Sequence, residues 1–453
     1  MRTFSWQSTL PFPAGEVFAW HARPGAFERL SPPWRDVQVL RSSGSIAQGA
    51  EVMLRLGLLG PFGIQWLLRH GEYAQGELFT DEQVRGPFGA WRHSHSFTAA
   101  PSGHCLMTDE IQYRLPLLAR PLSGIFERDL ARLFAFRHRV LAADLALHGR
   151  WSLAPRKTIL ISGASGFIGS ALSAFLSTAG HTVLHLVRRK PRAPHERSWS
   201  PGEGSLLPEA LHGADVVVHL GGESIMANRW SPSVRERLVQ SRVGSTQLLA
   251  STIAALPQKP ELLIVASGVG FYGDTGSEAP DEEAPKGAGF LADLAAQWEA
   301  AAAPAADSGV RVASLRIGTV LNARGGALKK MLPPFRLGLG GPLGPGTQRM
   351  GWIALQDLLG LIEHVIHTPS LGGAVNAVAP QVITNCEFVQ ALARRVGRCA
   401  FIPAPAPMLR ALFGEVADAA LLSSSAATPK RALESGYRFV LPAVSPALEF
   451  EVP

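Results

Sequence analysis

The sequence predicts a two-part chain: an α+β domain over residues 1–150, then an α/β domain with a doubly wound parallel sheet and a C-terminal lobe. Three observations carry this. From Lys157 onward, apolar runs of strand length alternate with helical segments, the rhythm of a parallel sheet covered on both faces. A glycine-spaced turn joins the first of these strands to the first helix. Ahead of Lys157 that rhythm is missing, and short alternating strands end in one long helix.

In the first domain, residues 109–115 alternate as a half-buried strand does. Residues 52–68 are apolar but carry Arg55, three glycines and Pro61, which suits a pair of strands better than a membrane span. Over 126–147, Leu130, Leu133, Phe134, Phe136, Val140, Leu141 and Leu145 recur at helical spacing. Gly149 and Pro155 then break the pattern, so 151–156 reads as a linker and 157–453 as the second domain. There, residues 158–162, 182–187, 215–220, 262–266 and 312–317 read as strands. Residues 167–179, 233–255 and 291–303 read as helices. From about 325 the chain is richer in Gly and Pro, with helices near 386–396 and 408–422, and this tail reads as a substrate-side lobe. Residues 325–346 read as a glycine-rich lid suited to enclosing a substrate.

Composition narrows the function classes. With 46% hydrophobic and 17% charged residues the chain is built to fold. The net charge of +7 invites a nucleic-acid partner, but only seven of the 43 basic residues are Lys and the Arg are scattered. The one basic cluster, Arg188 to Arg192, sits where a cofactor phosphate would, so no nucleic-acid partner is expected. Cys105, Cys386 and Cys399 lack metal or disulfide spacing and suit a reducing compartment. The first residues lack a long apolar run, so no signal peptide and no membrane span are expected, and the location expected is cytoplasmic.

The strongest chemical signal is the turn after the strand 158–162. Gly163 permits the tight turn, Gly166 lets backbone approach a pyrophosphate, and Gly169 lets the helix pack closely on the sheet. Ser165, Phe167 and Ile168 complete the loop, whose helix N-terminus offers unpaired N–H groups to phosphate charge. This is a Rossmann dinucleotide site. The second strand ends in Arg188 and Arg189, where an NAD site would carry a carboxylate for the ribose 2′-hydroxyl. A guanidinium instead holds a 2′-phosphate, so the cofactor expected is NADP. Leu220, Gly221 and Gly222 end the third strand with residues small enough to lie against adenosine and ribose. Arg242 on the next helix, like Arg237, reads either as a solvated face or as a group reaching the cofactor.

Taken together, GASGFIG, VRR, HLGGESI, RWS…SRVGST, SGVGFYG and LRIGTVLNARGGALKKMLPPFRLGLGGPLGPGTQ resemble an atypical short-chain dehydrogenase/reductase subfamily of NAD-dependent epimerase/dehydratase-like proteins. The tail, from GAVNAVAP through FGEVADAALL to PKRALESGYRF, resembles the C-terminal region of that subfamily. The likeness spans about residues 157–450 and implies NADP binding at Gly163, Gly166, Phe167, Ile168, Gly169, Arg188 and Arg189, with Leu220 and Gly221 beside them. PGAFERLSPPW, WRHSHSF and FAFRHRVLAADL in the first 150 residues resemble the START-like helix-grip fold known as polyketide cyclase/dehydrase or SRPBCC. That second resemblance implies a cavity for an apolar ligand.

The departures bear on catalysis. Short-chain dehydrogenases resembling this chain use a Tyr-x-x-x-Lys pair with a nearby Ser or Thr, the Tyr as general acid/base. Here the corresponding helix offers Phe290 and Leu294, or in the shifted register Leu291 and Ala295. Ala354 stands where the subfamily commonly has His. Tyr272, Ser267 and Glu223 fall at or just after strand C-termini, making Tyr272 and Ser267 the candidate replacement groups. A packed aromatic is the competing reading of Tyr272. Asp281 to Glu283 reads as a solvated loop, and His93 and His95, alternating on one strand, as polar lining of a cavity rather than metal ligands. Two functions follow: an NADP-dependent epimerase- or oxidoreductase-like enzyme acting on a small molecule, or an NADP-binding sensor or scaffold without turnover.

Overall fold

A computed structural model describes residues 1–57, 63–226 and 229–452. The chain divides into two compact units, Met1–Ser152 with Ser177–Gly180, and Leu153–Leu176 with His181–Pro453.

The first unit is an antiparallel sheet with a long helix on one face. Its elements are β1 (Arg2–Leu10), α1 (Ala14–Ala22), α2 (Ala26–Leu30), β2 (Val37–Ser42), β3 (Glu51–Gly57), β4 (Gly63–Ala74), β5 (Leu78–Arg85), β6 (Ala90–Ala100), β7 (His104–Arg114) and α3 (Ser123–His148). The strands run in the order β1-β7-β6-β5-β4-β3-β2. The apolar stretch 52–68 is β3 and β4, and the residues between them, 58–62, lie outside the described residues. Leu130, Leu133 and Phe134 of α3 pack on Ile111 and Tyr113 of β7, and Leu141 and Leu145 pack on Cys105 and Met107. Each such side chain removed from water contributes about 1.5–3 kcal/mol, which fixes the helix across the sheet.

The second unit begins with β8 (Thr158–Ser162), α4 (Phe167–Thr178), β9 (Thr182–Val187), β10 (Glu196–Ser198) and β11 (Val216–His219). It continues through α5 (Pro232–Val239), α6 (Ser245–Ala255), β12 (Leu262–Gly268), α7 (Phe290–Ala300), α8 (Ala303–Asp307) and β13 (Arg311–Ile317). The lobe adds β14 (Thr319–Leu321), α9 (Gly326–Arg336), β15 (Arg349–Met350), β16 (Trp352–Ala354), α10 (Leu355–His367), β17 (Gly373–Ala377), β18 (Ile383–Thr384), α11 (Asn385–Arg395) and α12 (Ala406–Phe413). The parallel sheet runs β10-β9-β8-β11-β12-β13-β17, so strand order reverses beside β8, the switch point at which open α/β sheets bind ligands. Its central strands read as unbroken apolar runs because both faces are covered: every residue of β11 is buried.

Three segments differ from their sequence reading. The helix expected over 233–255 is α5 and α6 joined by a π-helical turn at Gln240–Gly244. The segment expected over 408–422 ends at Gly414, whose φ of +63° closes α12, and a second π-helical turn follows at Ala417–Leu421. The lid expected at 325–346 contains α9, which buries Leu328, Leu332 and Phe335 despite Pro333 and Pro334 within it. Glycine and proline content hid an amphipathic helix there. Among the described residues, no helix is long and apolar enough to cross a membrane.

Candidate functional site

The loop between β8 and α4 shows why its glycines are glycines. Gly163 has φ +76°, and a Cβ there would lie 3.0 Å from the carbonyl of Leu220. A Cβ on Gly169 would fall 2.2 Å from the Gly163 carbonyl oxygen, inside any permitted contact. The Gly166 N–H donates to Gly163 O at 2.9 Å, which curls the loop and leaves Ser165 and Gly166 exposed ahead of the helix N-terminus, with Phe167 and Ile168 half-buried in its first turn. Backbone donors and the helix dipole there favour phosphate charge.

At the end of β9 the two arginines part company. Arg189 grips Glu196 through two charge-assisted bonds of 2.8 and 2.5 Å, and Glu196 also accepts from the Arg192 N–H at 2.6 Å. The Arg189 guanidinium, followed by that backbone bond, holds the Glu196 carboxyl down at about 2. Arg188 is exposed and, among the described residues, holds no hydrogen bond or ion pair. Of the two groups expected at a 2′-phosphate, Arg188 is the one at liberty.

Beneath the loop, His219 at the end of β11 is fully buried between Ser162 and the Ser245 hydroxyl, 3.0 Å from its Nε2. Burial, aided by Arg242, lowers it to about 4, so the imidazole is neutral near pH 7. Leu220, Gly221 and Gly222 follow. A Cβ on Gly222 would sit 3.1 Å from the Arg242 guanidinium carbon, so the glycine makes room for that side chain. Arg242 is 9% exposed, donates to the Glu223 carbonyl at 2.6 Å and lies over the Trp298 ring at 5.0 Å. It is therefore no solvated face: the π-helical turn turns it inward.

At the C-terminal ends of β12 and β13 lies a cleft of about 610 Å³, lined among others by Arg242, Ser267, Gly268, Leu291, Leu294, Thr319 and Ser423. Phe290 and Leu294, and in the shifted register Leu291 and Ala295, the positions compared with Tyr and Lys, make one wall apolar. Ser267 reaches the cleft, and its hydroxyl donates to Glu299 at 2.8 Å. Tyr272 does not appear among the described residues of that lining. It is 5% exposed, donates its phenol proton to Asn376 at 2.7 Å, and accepts from Arg316 at 2.9 Å. Burial raises its pKa. Arg316 in turn holds Glu299 by two bonds of 2.9 Å. Ser267, Glu299, Arg316, Tyr272 and Asn376 thus form one connected network, which sequence spacing did not reveal because its members come from four separate stretches of the chain. The segment read as a solvated loop feeds it too: Glu282 is buried and accepts from the Asn376 N–H at 2.9 Å, while Asp281 and Glu283 hold Lys430.

The first unit has a second pocket, a cavity of about 420 Å³ whose walls include Leu54, Leu68, Phe79, Ile111 and Phe134. His93 and His95 line it as expected from their alternation, and Asp81, absent from that reading, lines it beside them.

Comparison with known proteins finds residues 159–378 matching the NAD dependent epimerase/dehydratase family, 404–451 a domain of unknown function (DUF1731), and 10–136 the polyketide cyclase / dehydrase and lipid transport family. An epimerase family protein of Mycobacterium tuberculosis is 42% identical over 281 residues, 62% of this chain and 93% of that one. The human epimerase family protein SDR39U1 is 40% identical over 294 residues, 64% of this chain and 98% of that one. Among solved structures, the nucleoside-diphosphate sugar epimerase from Corynebacterium glutamicum is similar at a TM-score of 0.80 and 33% identity, covering 100% of this chain and 90% of that one. Human SDR39U1 (isoform 2), solved with NADPH, is similar at a TM-score of 0.61 and 37% identity, covering 65% and 98%.

Proposed function

This chain belongs to the NAD-dependent epimerase/dehydratase family, and on that premise we propose that it is an NADP(H)-dependent oxidoreductase of the epimerase/dehydratase kind, acting on a small molecule in the cleft beside Ser267. The carrying observation is the β8–α4 loop, where a side chain on Gly169 would strike the Gly163 carbonyl at 2.2 Å. Closure that tight brings a helix N-terminus to a pyrophosphate. Arg188 supplies the positive charge for a 2′-phosphate and Arg189, held by Glu196, shapes the loop around it. That the human relative was solved with NADPH supports the choice of cofactor. Gly221 and Gly222 leave space for the adenosine side, and the cleft at the ends of β12 and β13 takes the nicotinamide and substrate.

In this reading Ser267 touches the reacting molecule, and Tyr272 positions Arg316 and, through it, Glu299. A second reading, a cofactor-binding sensor or scaffold without turnover, is favoured by the apolar wall at Leu291 and Leu294. In either reading the first unit holds an apolar ligand in its cavity, in keeping with the family matched over 10–136.

Titration calorimetry tests the cofactor assignment. One charge-assisted contact is worth roughly 1.5–3 kcal/mol, so NADPH should bind about ten- to a hundredfold more tightly than NADH. Arg188→Ala with Arg189→Ala should erase most of that preference and leave NADH affinity nearly unchanged. Equal affinities in the unaltered protein would end the assignment. Mass spectrometry of copurifying small molecules, followed by incubation with NADP+ or NADPH, separates enzyme from sensor: a change in cofactor absorbance with chemical conversion favours the first.

A further inference from the structure

The walls of the 420 Å³ cavity are largely apolar, with Arg35 and Arg137 among the charged groups on them, and at one place β5 and β6 bring an aspartate and two histidines together. The sheet register puts Asp81 directly opposite His93, and His95 directly opposite Asp109 on β7. Cross-strand partners on one face stand about 4.5–5.5 Å apart at Cβ, so the four side chains are bound to meet.

Their arrangement has two layers. Behind the cavity wall, the Asp109 carboxylate is 1% exposed and lies 2.8 Å from His93 Nε2, 2.7 Å from His95 Nδ1 and 2.6 Å from His138 Nε2. Each strand histidine therefore turns one ring nitrogen toward Asp109 and leaves the other for the cavity side. Those other nitrogens converge on Asp81: Oδ1 is 3.7 Å from His93 Nδ1 and 4.0 Å from His95 Nε2. All three donor atoms lie within 4.8 Å of one another. The second oxygen of Asp81, Oδ2, is buried and without a hydrogen-bond partner, a state that is costly for an ordinary acceptor and more so for a charged one.

We propose that Asp81, His93 and His95 bind one divalent transition-metal ion, with Asp109 orienting both imidazoles from behind and the open coordination positions facing the cavity. Nitrogen and oxygen ligands about 2.0–2.2 Å from a tetrahedral ion stand about 3.3–3.6 Å apart, so the site closes on the ion by small side-chain shifts. Two histidines and one carboxylate with free positions is the donor set of catalytic zinc and of non-haem iron(II), not of a closed structural site. The hydrogen bond between Asp109 and His93 Nε2 fixes the tautomer of that ring and raises its basicity, while His95 Nδ1 approaches the same oxygen at 2.7 Å without a hydrogen bond. His21, buried with an unpartnered Nε2, lines the same cavity, as does Arg137. The ligand class that fits is an apolar molecule bearing a carbonyl or carboxylate oxygen to complete the coordination.

The full-length protein, stripped with chelator and dialysed, should take up about one equivalent of Co2+ or Zn2+ per chain. Zinc-edge X-ray absorption of the loaded protein should show nitrogen and oxygen scatterers, imidazole among them, and no sulfur. Asp81→Asn and His95→Gln, each checked for folding by circular dichroism, should weaken uptake by about a hundredfold. His367→Gln, which alters the other His/Glu group at His181 and Glu363, should leave it intact. No uptake by the unaltered protein, sulfur ligation, or uptake lost in His367→Gln but kept in Asp81→Asn would each overturn the proposal.

Discussion

The cavity of the first unit and the cleft of the second solve opposite problems with similar materials. In the cavity, the charged groups stand on the wall and a buried carboxylate, Asp109, anchors them from behind. In the cleft, the wall at Leu291 and Leu294 is apolar, and much of the charge lies behind it in the Ser267–Glu299–Arg316–Tyr272 network. The unit matched to the polyketide cyclase / dehydrase and lipid transport family carries a His/Asp cluster on its lining, whereas the unit with the cofactor motif lines its cleft with apolar side chains on one wall and with Arg242, Asp274, Glu415 and Asp418 elsewhere. Motif and reactivity are therefore separable, and chemistry has to be read from where side chains point.

Four measurements sharpen or break this contrast. Asp109→Asn removes the charge on which three histidines depend; losing one member of a buried ionic cluster costs about 3–5 kcal/mol. Urea denaturation should show that loss in the full chain, and a loss below about 1 kcal/mol would mean the cluster does not anchor the cavity. His219 comes next. Burial sets its folded pKa at about 4 against about 6.5 unfolded, so between those values the unfolded chain binds the extra proton. Its stabilising effect is complete above about pH 6.5 and is lost as pH falls through about 4, a change on the order of 3 kcal/mol. His219→Gln should flatten that part of the stability–pH curve; an unchanged curve would show that the histidine does not titrate there.

Gly169→Ala should strain the cofactor loop by about 1–3 kcal/mol, read as a ten- to hundredfold weaker NADPH affinity. Unaltered affinity would mean the loop can open without losing its ligand. Tyr272→Phe should have the smallest effect. It removes one hydroxyl between Asn376 and Arg316, costing about 1–2 kcal/mol of stability and leaving NADPH affinity as it was. A loss of about a hundredfold in turnover of an identified substrate would restore the phenol to the acid/base role expected from the sequence and erase the contrast between the two pockets.

Local signals were legible in the sequence. The parallel strands announced themselves by apolar runs, the long helix α3 by its spacing, and the phosphate loop by glycines whose necessity the Cβ clashes explain. Non-local pairings were not. His93 and His95 were visible as a pair, but Asp81 and Asp109 joined them only through strand register, and His138 only through the placement of α3. An Asp and a His at matching offsets in consecutive hairpin strands was the available clue. Tyr272 was conspicuous as a hydroxyl near a strand end, yet nothing local foretold that Asn376, about a hundred residues on, would claim its proton. Arg189 likewise matched the phosphate-binding pattern, and Glu196 on the neighbouring strand took it.

The π-helical turn at Gln240–Gly244 has a consequence for how this chain tolerates insertions and deletions. Such a turn holds one residue more than the α-helical path it replaces, and each residue advances an α-helix by about 100°. Deleting a single residue from the turn would regularise the helix and lengthen no loop. It would also swing Arg242 away from Gly222 and the Trp298 ring. The helix would gain regular hydrogen bonding while the cleft lost its guanidinium, so the surplus residue works as a phase shifter that trades helical order for the angular position of one side chain.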